Sequence, residues 1–258
     1  MEKRKYKGIR EIIGDIPKEI IGKGGFGEVY KFEYNGEMYA LKQISLEKLN
    51  EKEKNDYEKE AQFLSGFNNE YIVKYYDSFI KDNKFNIIME YAGNKTLESY
   101  IKDREDELID PKTLNNIIKQ ICLGLKEIHE SNIIHRDISP DNIFIDEENL
   151  KIKIGDFGIS TISQYSYSPI GKYKYMAPEM QDEIQKVRYN KSVDIYALGC
   201  VLYELFTLRN YYVDDRQKKV EKINLDYYDE KWQKLIDSML AIEYHNRPSI
   251  DEILSKIN

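Results

Sequence analysis

The chain has 258 residues, enough for one large domain or two small ones around a packed core. With 39 Lys and Arg against 46 Asp and Glu, its net charge of −7 offers no basic excess of the kind that releases counterions from nucleic acid. Two distant cysteines, Cys122 and Cys200, and three histidines speak against a disulfide framework or a zinc site; both cysteines fall in apolar, helix-like runs and read as buried free thiols in a reducing compartment. No stretch reaches the roughly 18 apolar residues of a spanning helix. The basic start around Lys3-Arg4-Lys5 has no apolar run behind it to make a signal peptide, and Glu2 stands where myristoylation needs glycine. The expectation is a soluble cytosolic protein with no nucleic-acid partner and no membrane span, monomeric by default.

In chain order, residues 16–21, 27–34 and 37–44 are rich in β-branched and aromatic side chains and predict three strands. Asn35-Gly36 between the second and third is a hairpin signal. Residues 46–67 are highly charged, with Leu49, Tyr57, Ala61 and Leu64 at helical spacings, and predict one helix. Two more strands follow over 72–79 and 85–91, and then a turn, Ala92-Gly93-Asn94-Lys95. From Leu97 helices dominate. Asp110 is an N-cap before Pro111, and the helix it starts runs to about residue 131 with Leu114, Ile117, Ile118, Ile121, Leu125 and Ile128 on its buried stripe. Residues 192–207, 230–241 and 249–257 are further helices. The expected fold class is α+β, with a small antiparallel sheet and one helix over about 10–91, a connector over about 90–95, and a larger, mainly helical part over about 96–258. The two parts are expected to meet at a cleft.

Gly22-Lys23-Gly24-Gly25-Phe26-Gly27 lets backbone amides approach phosphates without a Cβ in the way. A dinucleotide fold would place a helix directly after the last glycine, whereas Glu28-Val29-Tyr30-Lys31-Phe32 reads as a strand. A strand–loop–strand flap over phosphates fits better. Lys42, taken alone, is an ordinary strand lysine; one strand after a glycine flap, it is an ammonium suited to holding two phosphates. In His135-Arg136-Asp137-Ile138-Ser139-Pro140-Asp141-Asn142, Asp137 can accept the proton of an attacking hydroxyl and needs no large pKa shift to align it. Asn142 can offer a side-chain oxygen to Mg²⁺, and Asp156 of Asp156-Phe157-Gly158 is a hard carboxylate for the same cation. These are the parts that phosphoryl transfer needs.

With these motifs in order, the chain resembles a eukaryotic-type protein kinase domain over its whole length, 1–258. Met176-Ala177-Pro178-Glu179 matches the family's Ala-Pro-Glu element, Asp194 and Gly199 match the large helix that follows, and Arg247 matches the arginine that pairs with Glu179. The resemblance implies a Ser/Thr protein kinase using ATP and Mg²⁺ on protein substrates. It implies Glu60 as the partner of Lys42 and adds Ile21 to the flap residues Gly22, Lys23, Gly24, Gly25, Phe26 and Gly27. It encloses adenine between Val29, Ala40 and Phe144, makes Met89 the gatekeeper, and gives the adenine edge to backbone groups of Glu90 and Ala92. Leu64, Tyr75, His135 and Phe157, followed by Gly158, would form the regulatory stack. Arg136 would receive an activation-loop phosphate, with Ser168 the first choice of site. Residues 194–205 are similar to NIMA-related kinases.

Two positions depart from the family pattern. Ser139 stands where Ser/Thr kinases carry Lys, and Lys172 stands where they carry Thr. The expectation is an exchange, with Lys172 supplying the ammonium near Asp137 and the transferred phosphate and Ser139 the hydroxyl. The alternative is a pseudokinase or scaffold that has lost its lysine. Pro140 favours Ser/Thr over Tyr, while Lys174-Tyr175-Met176 keeps dual specificity open. A small-molecule kinase of related fold is disfavoured by the Ala-Pro-Glu segment and Arg247. Gly93-Asn94-Lys95-Thr96 offers no acid where many relatives have one for the ribose, and Glu98 lies just beyond.

Overall fold

Strand-forming side chains over 27–34 and 37–45, split by Asn35-Gly36, fold back on each other because both turn residues take left-handed backbone, φ 51° at Asn35 and 78° at Gly36. This hairpin is the centre of a sheet in a computed structural model that describes residues 8–24, 27–47, 50, 54, 66–105, 107–155, 172–181, 190–209 and 226–257. The chain divides into two compact units, Met1–Asn94 and Lys95–Asn258.

In the first unit, β1 (Lys18–Gly24), β2 (Gly27–Tyr34), β3 (Glu37–Ser45), β4 (Tyr75–Lys81) and β5 (Lys84–Glu90) form one antiparallel sheet in the order β1-β2-β3-β5-β4. Leu41 pairs with Tyr30 on one side and Ile88 on the other, so Tyr30, Phe32, Tyr39, Leu41 and Ile88 share one face of the sheet. Val29, Ala40, Lys42, Ile87 and Met89 share the other face. The first face is closed by an unexpected element, a helical turn over 8–12, whose Ile9, with Ile13 just beyond it, packs against Phe32, Tyr39, Leu41, Phe79 and Ile88. Arg10 fixes the turn by forking onto Asp77, Nε to Oδ2 at 2.5 Å and Nη2 to Oδ1. The Lys81 ammonium donates to the carbonyls of Arg10 and Glu11, at 3.4 and 3.3 Å. Most of the expected helix over 46–67 lies outside the described residues; Leu46 and Glu47 are not helical, so it does not begin at 46. The fourth strand starts at Tyr75 rather than 72, because the Asn69 side chain takes the Tyr71 N–H at 2.8 Å and turns the chain there.

In the second unit, α1 (Leu97–Lys102) starts at a reciprocal cap, Ser99 N–H to Thr96 Oγ1 at 3.3 Å and Thr96 N–H to Ser99 Oγ at 3.1 Å. α2 (Pro111–Glu130) is capped by Asp110, which accepts from the Lys112 and Thr113 N–H groups, both at 3.0 Å. The stripe from Leu114 to Ile128 is buried as expected. β6 (Ile143–Asp146) and β7 (Lys151–Ile154) form an antiparallel hairpin. Then come α3 (Pro178–Gln181), α4 (Ser192–Thr207), α5 (Glu230–Met239) and α6 (Ile250–Ile257). α4 is apolar nearly all round and is buried nearly all round. A Cβ on its Gly199 would lie 3.0 Å from Leu240 Cδ2 and 3.1 Å from Met239 Cβ, which shows how closely α4 approaches the α5 end. Phe206 meets Tyr228 edge-on and Trp232 at a tilt, at centroid distances of 4.8 and 5.0 Å. Cys122 and Cys200 are buried free thiols, and burial pushes Cys122 up to about 12 and Cys200 well above its ordinary value. The expected small antiparallel sheet followed by a mainly helical part is the observed architecture. Among the described residues no helix is long and apolar enough to cross a membrane.

Candidate active site

In the first unit the flap is a β1–β2 hairpin, with Gly24 paired to Gly27 and Gly25 and Phe26 outside the described residues. Gly27 is obligatory on steric grounds. Its φ is 126°, and a Cβ there would stand 2.0 Å from the Gln43 carbonyl oxygen. Gly22 faces Val29 across the pair, the strand register shifts between Ile20 and Gly22, and Ile21 at that irregularity is exposed. Lys23 makes an ion pair with Glu28 at 3.0 Å. Val29 lies opposite Lys42 and Ala40 opposite Met89, so four residues expected around ATP sit together on one face of the sheet. Lys42 is buried on that face. Glu60, its expected partner, and Leu64 lie outside the described residues. Glu90 ends β5 and donates its N–H to the Lys74 carbonyl at 2.8 Å, with Ala92 just past the strand. Tyr75 is buried opposite Met89.

In the second unit the loop from His135 to Asn142 is held by one carboxylate. Asp194, fully buried near the start of α4, accepts the His135 N–H and the Arg136 N–H, both at 2.8 Å, and faces His129 Nε2 at 2.9 Å. Burial alone would raise its pKa; the His129 ring and the backbone donors outweigh that and hold it below the usual carboxylate range. Arg136 takes φ 67°, a conformation that costs an ordinary L-residue about 1–2 kcal/mol. Its N–H bond to Asp194 is what stabilises it there. The His135 ring accepts the Asp137 N–H at Nδ1 (3.3 Å), which leaves Nε2 to donate to the Gly155 carbonyl at 3.1 Å. Gly155 N–H returns to the Asn142 carbonyl at 2.9 Å.

Asn142 closes the loop. Its Nδ2 donates to the Asp137 carbonyl at 2.8 Å and to the Asp137 Oδ2 at 2.7 Å. Both amide hydrogens are then used, and Oδ1 is left as an acceptor for a hard cation. Asp156, Phe157, Gly158 and Ser168 lie outside the described residues. Phe144, on β6, bridges Thr96. Glu98 pairs with Lys102 at 2.9 Å, one turn along α1. Glu179 takes a two-point bond from Arg247, at 2.6 and 2.8 Å, as expected from the sequence. The same guanidinium also reaches the Ala241, Ser192 and Ile242 carbonyls and lies 5.0 Å over the Tyr196 ring.

Of the two departures, Lys172 makes an ion pair with Asp141, four residues along the loop from Asp137. Ser139 is fully buried and its Oγ has no hydrogen-bond partner among the described residues. Sequence reasoning also missed the buried Glu204 of α4, which pairs with Lys174 and accepts from the Tyr175 hydroxyl at 3.2 Å. Burial, together with that carboxylate, pushes the Tyr175 hydroxyl well up from its ordinary value. An acid in the middle of an apolar helical run was the available signal. His129 and Gln120 carried no motif. Gln120 clamps β7 to α2, donating to Leu150 O at 2.7 Å and accepting from Ile152 N–H at 3.0 Å.

The sequence model of the protein kinase domain matches residues 16–257. The zebrafish (Danio rerio) serine/threonine-protein kinase Nek8 is 34% identical over 250 residues, 92% of this chain and 35% of that protein. The probable serine/threonine-protein kinase nek2 of Dictyostelium discoideum is 34% identical over 264 residues, 95% of this chain and 61% of that protein. The chain therefore spans about a third and three-fifths of the lengths of these two relatives. Among solved structures, Rad53 1-466 in complex with AMP-PNP superposes with a TM-score of 0.77 at 25% identity, over 95% of this chain and 65% of that one.

Proposed function

The chain belongs to the protein kinase domain family, and from that premise we propose that it transfers the γ-phosphate of ATP to Ser and Thr hydroxyls of protein substrates. The carrying observation is the Asn142 bond to Asp137 Oδ2, in a loop whose backbone Asp194 holds. A carboxylate fixed in this way has one oxygen oriented by the amide and can align an incoming hydroxyl with the other. In the proposed step a substrate Ser or Thr oxygen bonds to the γ-phosphorus, the bond to the β-phosphate oxygen breaks, ADP leaves, and the hydroxyl proton passes to Asp137. Lys42 and the glycine flap, with Ile21, bind the phosphate side of ATP, while Val29, Ala40, Met89 and Phe144 take its adenine and backbone groups of Glu90 and Ala92 its edge. Asn142 Oδ1, a hard oxygen with no competing donor duty, fits Mg²⁺, and Asp156 would complete the ligand pair. Bound there, the cation would neutralise phosphate charge. Lys172 supplies the ammonium that the loop itself lacks, and Ser139 supplies the hydroxyl.

Radiolabelled transfer from ATP to a generic protein substrate tests the reading, with phosphoamino-acid analysis of the product. Wild type labels Ser and Thr, and Asp137→Ala and Asp156→Ala do not. Label on Tyr as well would make the enzyme dual-specificity. ATP-dependent thermal stabilisation without label would make the chain a nucleotide-binding pseudokinase, the reading that Ser139 in place of a lysine favours. For the exchange, Lys172→Ala should cut turnover at least tenfold and Lys172→Thr combined with Ser139→Lys should restore it; wild-type turnover in Lys172→Ala refutes it.

A further inference from the structure

We propose that Asp141 is a positioning residue that holds the Lys172 ammonium for the transferred phosphate, an inference that rests on the kinase reading above. Asp141 belongs to the 3₁₀ turn Pro140–Asn142, between the proline and the asparagine that binds Asp137. Its carboxylate pairs with Lys172 from the segment just before α3. Both side chains are partly open to solvent, 49% exposed at Lys172 and 26% at Asp141. A pair so exposed adds little to stability, because water and salt screen it and two side chains lose freedom to form it. Its effect is on position. A lysine stem has four rotatable bonds and an ammonium that wanders unless it is anchored. Asp141 confines that ammonium to one residue's distance along the chain from Asn142.

The turn itself is well placed to act as the anchor. Asn142 N–H donates to the Ser139 carbonyl at 3.0 Å, and Asn142 is tied through its side chain to Asp137, so Asp141 is fixed on both sides. Ser139, at the start of the turn, makes no side-chain hydrogen bond among the described residues that would hold Lys172 in its place. The other end of the tether is fixed as well. Two and three residues beyond Lys172, Lys174 and Tyr175 are bound to the buried Glu204 of α4, so the segment cannot drift without breaking those contacts.

A double-mutant cycle with Asp141→Asn and Lys172→Ala tests this. The expected result is a drop of at least tenfold in kcat for Asp141→Asn, with KM for ATP and the melting temperature unchanged, recovery in Asp141→Glu, and no further loss when Asp141→Asn is added to Lys172→Ala. A full additional loss in the Lys172→Ala background overturns the proposal. Amine labelling of Lys172 with acetic anhydride, read by mass spectrometry, gives a second measurement that needs no catalysis. Asp141→Asn should raise labelling of Lys172 severalfold and leave Lys23 and Lys102 unchanged. Unchanged labelling of Lys172 refutes the tether even if wild type transfers phosphate normally. A wild type without phosphate transfer, but with the labelling increase, refutes the kinase reading and the catalytic purpose of the pair while leaving the contact standing.

Discussion

Arg136 keeps a left-handed backbone beside the proposed base because a buried carboxylate accepts its N–H. Three donors converge on Asp194, two of them main-chain and one from His129. Asp194→Ala leaves those buried donors unpaired and should destabilise the chain by about 3–5 kcal/mol, measured by urea unfolding. Ser139 is the opposite case. Its buried hydroxyl has no hydrogen-bond partner among the described residues, so Ser139→Ala should shift unfolding by less than about 0.5 kcal/mol, or stabilise slightly, while any fall in turnover would report the role proposed for that oxygen. At this scale the sequence was readable where a residue type limits its own chemistry, as with the Glu179–Arg247 pair. This legibility did not extend to the partner of Lys172. An ammonium on a long stem has several acids within reach, and the choice of Asp141 is made by the turn geometry around Pro140. His129 was unreadable because a histidine on an apolar helix face looks the same whether or not a carboxylate waits opposite.

Among elements, those with local punctuation were legible. Asn35-Gly36 fixed a hairpin, and Asp110-Pro111 fixed the start of α2, through backbone demands that any surroundings would impose. The helical turn over 8–12 was not legible. The five described residues over 8–12 are too few to show a period. It forms because Ile9 finds the sheet face and Arg10 finds Asp77. Arg10→Ala should nonetheless cost only about 0.5–1 kcal/mol in urea unfolding, since Arg10 is 45% exposed and solvent screens the pair. The flap carries a harder constraint. Gly27→Ala drives a methyl into the Gln43 carbonyl and must displace β2 from β3. We expect it to raise KM for ATP at least tenfold and to lower the melting temperature by several degrees, both measurable on purified protein.

For the whole molecule, the buried acid and the buried thiols set two global responses. The Asp194 carboxyl titrates lower in the folded chain than the roughly 3.9 of an unfolded aspartate. Its stabilisation is therefore complete above about pH 4 and is lost as pH falls through the lower folded value. Asp110, Asp146 and Glu252 are shifted in the same direction by hydrogen bonds at the surface and should add smaller effects of the same sign. Urea midpoints measured from pH 6 to pH 3 should fall most steeply below about 4, and less steeply in Asp194→Asn. Cys122 and Cys200 are buried and held as thiols, so alkylation at pH 8 should proceed only as fast as the chain opens, and urea should raise its rate in step with loss of circular dichroism.

The match to the family begins at residue 16, but Ile9 and Ile13 already belong to the core of the first unit. Anyone trimming the chain to the matched boundary for crystallisation or assay would strip two isoleucines from over Leu41 and Ile88. At about 1.5–3 kcal/mol for each buried isoleucine, that shortened product should melt markedly lower and clump through the uncovered aromatic surface of β2 and β3.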